Sequence, residues 1–202
     1  MTTPRTHHAP PIDPIFCRRN FVKLGVKLGL AALSLGVAPT RALAHRPPRA
    51  SPERALDLYH TRTGERLKTV YWADGRYLPE ALTQLNYFLR DYQTDDIHPT
   101  DPALLDCLFA LAKRVDAPYP FHIVSAYRSP ATNAELYKQR RGVAKHSFHM
   151  YGKAIDFYLP KRKLTVVRRA AQRLGRGGIG YYPNSHFLHV DTGPVRSWQS
   201  AV

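Results

Sequence analysis

Asp156 stands in the run Ala154-Ile155-Asp156-Phe157-Tyr158-Leu159, and His189 in Phe187-Leu188-His189-Val190-Asp191. Both runs read as short, mostly apolar strands, where an ionisable side chain is costly unless something compensates it. A hydrogen-bonded His/Asp pair inside a core would do so, and so would a metal ion. His149 lies at the end of a loop leading into the first run, and Gly152 between them lets the chain turn so that His149 and Asp156 converge. If the 187–191 strand lies beside the 154–159 strand, His189 lands opposite Asp156. Two imidazoles and a carboxylate with an open position for water make the donor set of a catalytic zinc site.

Periodicity places the remaining elements. Leu56–Tyr59 and Leu67–Trp72 alternate around Thr61-Arg62-Thr63-Gly64-Glu65, which predicts a hairpin with glycine in its turn. Pro79 opens a helix carrying Leu82, Leu85, Phe88 and Leu89 on one face, and Asp101-Pro102 caps a second that runs to about Val115. Phe121–Ala126 is a β-type run, Ser129-Pro130 starts a short helix to about Arg140, and Gly142–Gly152 has no period and reads as loop. Leu164–Leu174 predicts a helix with a basic outer face, followed by a glycine-rich turn and strands Ile179–Tyr182 and Phe187–Asp191. Without regular βαβ alternation, this order predicts an α+β fold with an antiparallel sheet and flanking helices, in one domain spanning 56–202.

The first forty-four residues read as an address. Arg18-Arg19-Asn20-Phe21-Val22-Lys23 precedes an apolar stretch to about Ala38, and Ala42-Leu43-Ala44 offers small residues for cleavage. The stretch is short and broken by Gly and Lys27, so no stable membrane span is expected once it is removed. The paired arginines followed by Phe and Lys resemble a signal for the twin-arginine export machinery, which implies a periplasmic destination. Residues 45–55, rich in Pro and Arg, read as a flexible lead-in. The net charge of +15 calls for an anionic partner. Nucleic acid fits the charge, but export demotes it sharply in favour of the acidic polymers of a cell envelope. With two cysteines, Cys17 and Cys107, and the first in the leader, no disulfide framework or C-x-x-C zinc site is available. Cys107, in Leu104-Leu105-Asp106-Cys107-Leu108-Phe109, is expected to be a buried structural thiol.

The segment Ser147-x-His149-x-x-Gly152-x-Ala154-x-Asp156 with a downstream strand histidine resembles the zinc D,D-carboxypeptidase and murein endopeptidase superfamily, which shares its metal-binding fold with the Hedgehog signalling domain. Four further blocks resemble its murein endopeptidase branch: Ser125–Ser129, Arg141–Lys145, Gly178–Pro183 and His189–Trp198. The likeness runs from about Leu56 to Trp198. It implies one Zn²⁺ per chain held by His149, Asp156 and His189, and cleavage of peptidoglycan peptides at L,D-type crosslinks after diaminopimelate.

Amide hydrolysis also needs a base for the water proton and a cation for the developing oxyanion. Arg128, at the end of the 121–126 strand, is the candidate cation and a substrate contact. Many carboxypeptidase relatives carry Glu three residues before the final histidine ligand. Here that place is His186, which leaves Asp191 and His186 as candidate bases, Asp191 being equally suited to orient His189. Ser147, Tyr127 and Tyr151 are candidate substrate contacts, and of Tyr181 and Tyr182 only one should face a cleft. His146 reads as a surface residue near that cleft. Trimming of stem peptides by a D,D- or L,D-carboxypeptidase, or a catalytically silent wall-binding module, are the competing functions.

Overall fold

A computed structural model describes residues 52–139 and 142–200. The leader and most of the lead-in lie outside the described residues. The chain begins with strand β1 (Arg54–His60), paired in a hairpin with β2 (Arg66–Ala73), and a two-residue β3 (Arg76–Tyr77). Helices α1 (Pro79–Phe88) and α2 (Pro102–Arg114) follow, then β4 (Phe121–Ser125), α3 (Pro130–Gln139) and a single 3₁₀ turn at Phe148–Tyr151. After β5 (Ala154–Tyr158) come α4 (Leu164–Leu174), β6 (Gly178–Tyr182), β7 (Phe187–Asp191) and β8 (Arg196–Gln199). The α+β class and nearly all element positions match the sequence reading. β1 starts at Arg54, within the stretch expected to be lead-in.

All eight strands form one sheet in the order β3-β2-β1-β4-β5-β7-β6-β8. Its pairs are antiparallel except β1–β4 and β6–β8, which are parallel, so the sheet is mixed where an antiparallel one was expected. Both exceptions join segments distant in sequence or separated by an intervening strand, and no local pattern encodes that pairing. β3 and β8 were not anticipated. One has two residues, and the other follows Gly193-Pro194 with too few residues to show a period of two.

Strand alternation divides the molecule. Leu56 and Leu58 of β1, Phe121 and Ile123 of β4, Ile155 and Phe157 of β5, and Leu188 and Val190 of β7 are buried in one core. Leu85 and Phe88 of α1, Leu104, Leu105, Leu108 and Leu111 of α2, and Val167 and Ala171 of α4 belong to the same core. The intervening strand residues, among them Tyr59, His122, Asp156, Tyr158, His189 and Asp191, point to the other face. Cys107 is buried in α2, and desolvation pushes its thiol up to about 11, as suits a structural residue.

Asp106 of α2 ties this helix to the strands. It accepts from the Tyr71 hydroxyl at 2.8 Å and the Tyr77 hydroxyl at 2.9 Å, and pairs with Arg54 at 2.7 Å. Burial alone would raise its carboxyl, yet these partners together hold it below its ordinary value. A carboxylate with a depressed folded pKa adds stability above its unfolded value of about 3.9 and loses that stability as pH falls through the folded one. Asp106→Asn should therefore cost about 1–3 kcal/mol at pH 7. Urea midpoints followed below pH 4 should converge with wild type; a constant gap across pH would show that the charge is not the contribution.

Candidate metal centre and its cleft

The β5–β7 pairing places Asp156 directly opposite His189. His149 arrives from the 3₁₀ turn, whose start Ser147 caps by accepting the His149 N–H at 3.4 Å. Gly152 ends that turn at φ +62°, and a Cβ there would collide with the Pro99 carbonyl. Glycine thus permits both the reversal into β5 and the close approach of the 98–101 segment. The result is a cluster of His149 (2% exposed), Asp156 (4%) and His189 (8%).

The donor atoms of the three lie within 4.8 Å of one another. His149 Nε2 is 3.2 Å from Asp156 Oδ1 and 3.2 Å from His189 Nδ1, and His189 Nδ1 is 2.9 Å from Asp156 Oδ1. The opposite ring nitrogens settle which atoms carry protons. His149 Nδ1 donates to the Ala126 carbonyl at 2.6 Å, and His189 Nε2 donates to Asp191 Oδ2 at 3.0 Å. In two neutral imidazoles the inward nitrogens are then bare lone pairs, aimed at each other and at a carboxylate oxygen. With both imidazoles neutral, three acceptors face one point and a metal ion between them satisfies all three, so the residues present fit a metal ion; without one, Asp156 and Asp191 favour a proton on His189, whose basicity they raise against the desolvation of burial. Desolvation pushes His149 down to about 4, which keeps its lone pair free; Asp156 is held well below the carboxylate range by its His and Arg neighbours.

Asp191 is wholly buried and its carboxylate is fully engaged. Besides His189 it receives the N–H of Gly178 (3.0 Å) and Gly193 (2.9 Å), and both Nη atoms of Arg196 (3.0 and 2.7 Å). A Cβ on Gly178 would strike both members of the Arg196–Asp191 pair, so this position also needs glycine. Arg128 reaches Asp156 Oδ2 at 2.5 Å and is steadied by Ser125 Oγ at 2.8 Å. A bulge in β4 makes that possible. Ile123 pairs with Phe157 and Ser125 with Asp156, leaving Val124 as the extra residue. Buried Asp91 then anchors the following loop by accepting the Ser129 N–H at 2.8 Å.

A cleft of about 520 Å³ opens over the cluster. Its lining includes Arg128, Leu136, Val143, His146, Ser147, Phe148, Tyr182, Phe187, Arg196 and Trp198. Of the other candidates, Tyr127 stacks on His98 at 4.9 Å, Tyr151 is 48% exposed on the outside of the 3₁₀ turn, and His186 is exposed against Tyr158. None of these three is among the cleft-lining residues. Tyr182 lines the cleft and Tyr181 packs on the core, the division expected of neighbours on a strand. Sequence reasoning assigned no role to Ser125, Asp91, Arg196 or Trp198. For Arg196 and Trp198 the only signal was their place in the His189–Trp198 block.

A mixed sheet with one helical face and, on the other, a two-histidine, one-carboxylate centre in a cleft defines a metallopeptidase-like architecture. The chain belongs to the peptidase M15_2 family, described as peptidoglycan L,D-endopeptidase MepK, whose model matches residues 48–198. It is 43% identical over 173 residues to peptidoglycan L,D-endopeptidase MepK of Escherichia coli strain K12, covering 85% of this chain and 93% of that protein. It is 38% identical over 176 residues to the probable peptidoglycan L,D-endopeptidase MepK of Haemophilus influenzae, covering 86% and 93%. No described helix is long and apolar enough to cross a membrane.

Proposed function

We propose that this chain is an exported, zinc-dependent murein endopeptidase that hydrolyses L,D-type peptide crosslinks of peptidoglycan in the periplasm, reached through the twin-arginine machinery. The observation that carries the reading is the convergence of His149 Nε2, Asp156 Oδ1 and His189 Nδ1 on one point beneath an open cleft. A zinc ion held by His149, Asp156 and His189 would lower the pKa of its water toward neutrality and polarise the scissile carbonyl. Arg128 sets a guanidinium beside that carbonyl to meet the charge that develops on its oxygen. Asp191, with every acceptor site filled, fixes the ring and tautomer of His189 rather than moving a proton. Among the described residues His146 is the imidazole in the cleft lining outside the ligand trio, and it would serve as the base for the attacking water and the acid for the leaving amine.

Endopeptidase action is favoured over carboxypeptidase action by the lining cations. Arg128 and Arg196 are the lysine or arginine side chains among the described lining residues, and both are paired with buried carboxylates. Arg128 is committed to the oxyanion and Arg196 to Asp191, so neither of these two is spare to clamp a substrate's terminal carboxylate. Incubation of the mature protein with crosslinked muropeptide dimers should yield monomers cut after diaminopimelate, and a chelator should stop it. Release of a terminal amino acid from uncrosslinked stems would make it a carboxypeptidase, and binding without cleavage a silent wall-binding module. In the same assay His146→Ala should lose about 10²–10⁴-fold in turnover while keeping its metal; unchanged turnover would remove His146 as the base.

A further inference from the structure

The face of the sheet that bears the metal cluster continues past it as a row of rings that the chemistry above does not use. Tyr59 of β1 is the direct cross-strand partner of His122 in β4, and His122 that of Tyr158 in β5. Their ring centroids are 4.8 and 4.9 Å apart, and His122 Nδ1 lies 2.9 Å from the Tyr158 hydroxyl. The row ends on exposed His186, 5.7 Å from Tyr158, held at φ +56° in the β6–β7 turn. Its chain neighbour Phe187 stacks on Tyr182 at 4.4 Å, and both of those line the cleft. The row is therefore a lateral extension of the cleft floor.

Three properties select what it would take. It is half-exposed, so its rings can be reached from solvent. None of its four side chains is a carboxylate, amine or guanidinium, burial lowers the basicity of His122, and the charge that borders the row, Arg66 opposite Tyr59, is paired with Asp57. The rings are tilted 51°, 52° and 58° to their neighbours along the row, and their faces and their hydroxyl and ring-nitrogen edges suit the apolar faces and hydroxyl rims of sugars. Its distance also fits. Tyr158 lies two residues along β5 from Asp156, roughly 7 Å, and Tyr59 lies two further strands away at roughly 4.8 Å each. An extended three-residue peptide spans about 10 Å. A stem held with its third residue at the metal centre would deliver the sugar that carries it onto this row.

We infer that Tyr59, His122, Tyr158 and His186 form a platform for the glycan strand of the peptidoglycan whose crosslink is being cut. The inference rests on the proposed murein substrate, and the two are separable by experiment. Wild-type protein should bind soluble, peptide-free glycan oligomers. Tyr59→Ala should weaken that binding about five- to tenfold, and Tyr59→Phe, which keeps the ring, should restore it. Should Tyr59→Ala fail to fold by thermal melting, Tyr59→Leu keeps the bulk and removes the π face.

Cleavage supplies the second measurement. Sugar-free crosslinked peptides should be cut at the same rate by wild type and variant, whereas intact sacculi should be cut several-fold more slowly by the variant. If wild type cuts neither substrate, the function itself fails. If it cuts both and the variant matches it on sacculi, or if sugar-free peptide rather than glycan competes for the row, the platform is overturned.

Discussion

His149→Ala is expected to empty the centre of metal and bring crosslink hydrolysis to background. His149 supplies one of only three donors, and the loss leaves His189 and Asp156, which on their own form a hydrogen-bonded pair. The fold should survive, because the site occupies one face of the sheet and the core the other. Metal content after dialysis, read beside the urea midpoint, separates the two effects. A variant that keeps stoichiometric metal would show that the donor set is wrong; one that loses metal only because it has unfolded would show that the faces are not independent.

Asp191→Ala should damage both stability and metal retention. Truncation would leave the Arg196 guanidinium, the His189 Nε2–H and two backbone N–H groups facing a hole, at a cost of about 3–5 kcal/mol. With the ring of His189 no longer oriented, metal affinity should fall about 10–100-fold. Asp191→Asn discriminates the two roles the sequence left open. An orienting residue should lose affinity and stability together on amidation. Were turnover to vanish with affinity and midpoint intact, Asp191 would be the proton acceptor and His146 would lose that assignment.

The His149–Asp156–His189 cluster was legible in the sequence because Asp156 and His189 interrupt apolar strands: alternation turns each away from its apolar neighbours, and the supposed pairing of the two strands brings them together. The fold class was legible for the same reason. The β5–β7 pairing apart, what depended on contacts between distant segments was not. Asp91 steadies the Arg128 loop from 38 residues away, and nothing in the sequence around Asp91 marks it for that. Arg196 and Trp198 reach the cleft from an edge strand with no readable period. Tyr127 and Tyr151 were chosen for being near site residues along the chain, yet the strand end and the 3₁₀ turn aim them elsewhere. Adjacency in sequence is a poor guide where the backbone is not regular.

The bulge at Val124 bears on how this chain can change. With Val124 deleted, Ile123 and Ser125 would become consecutive opposite Phe157 and Asp156 in an unbroken ladder, and the bend and extra twist of the bulge, which set the angle at which Arg128 leaves the strand, would be lost. No donor, base or cation would have been removed, and the core face would keep its leucines and phenylalanines. The protein would remain folded and chemically complete in its inventory, and silent. Spacing in β4 is inherited information of the same rank as the identity of a ligand, and an alignment scored on residue types alone would read such a deletion as harmless.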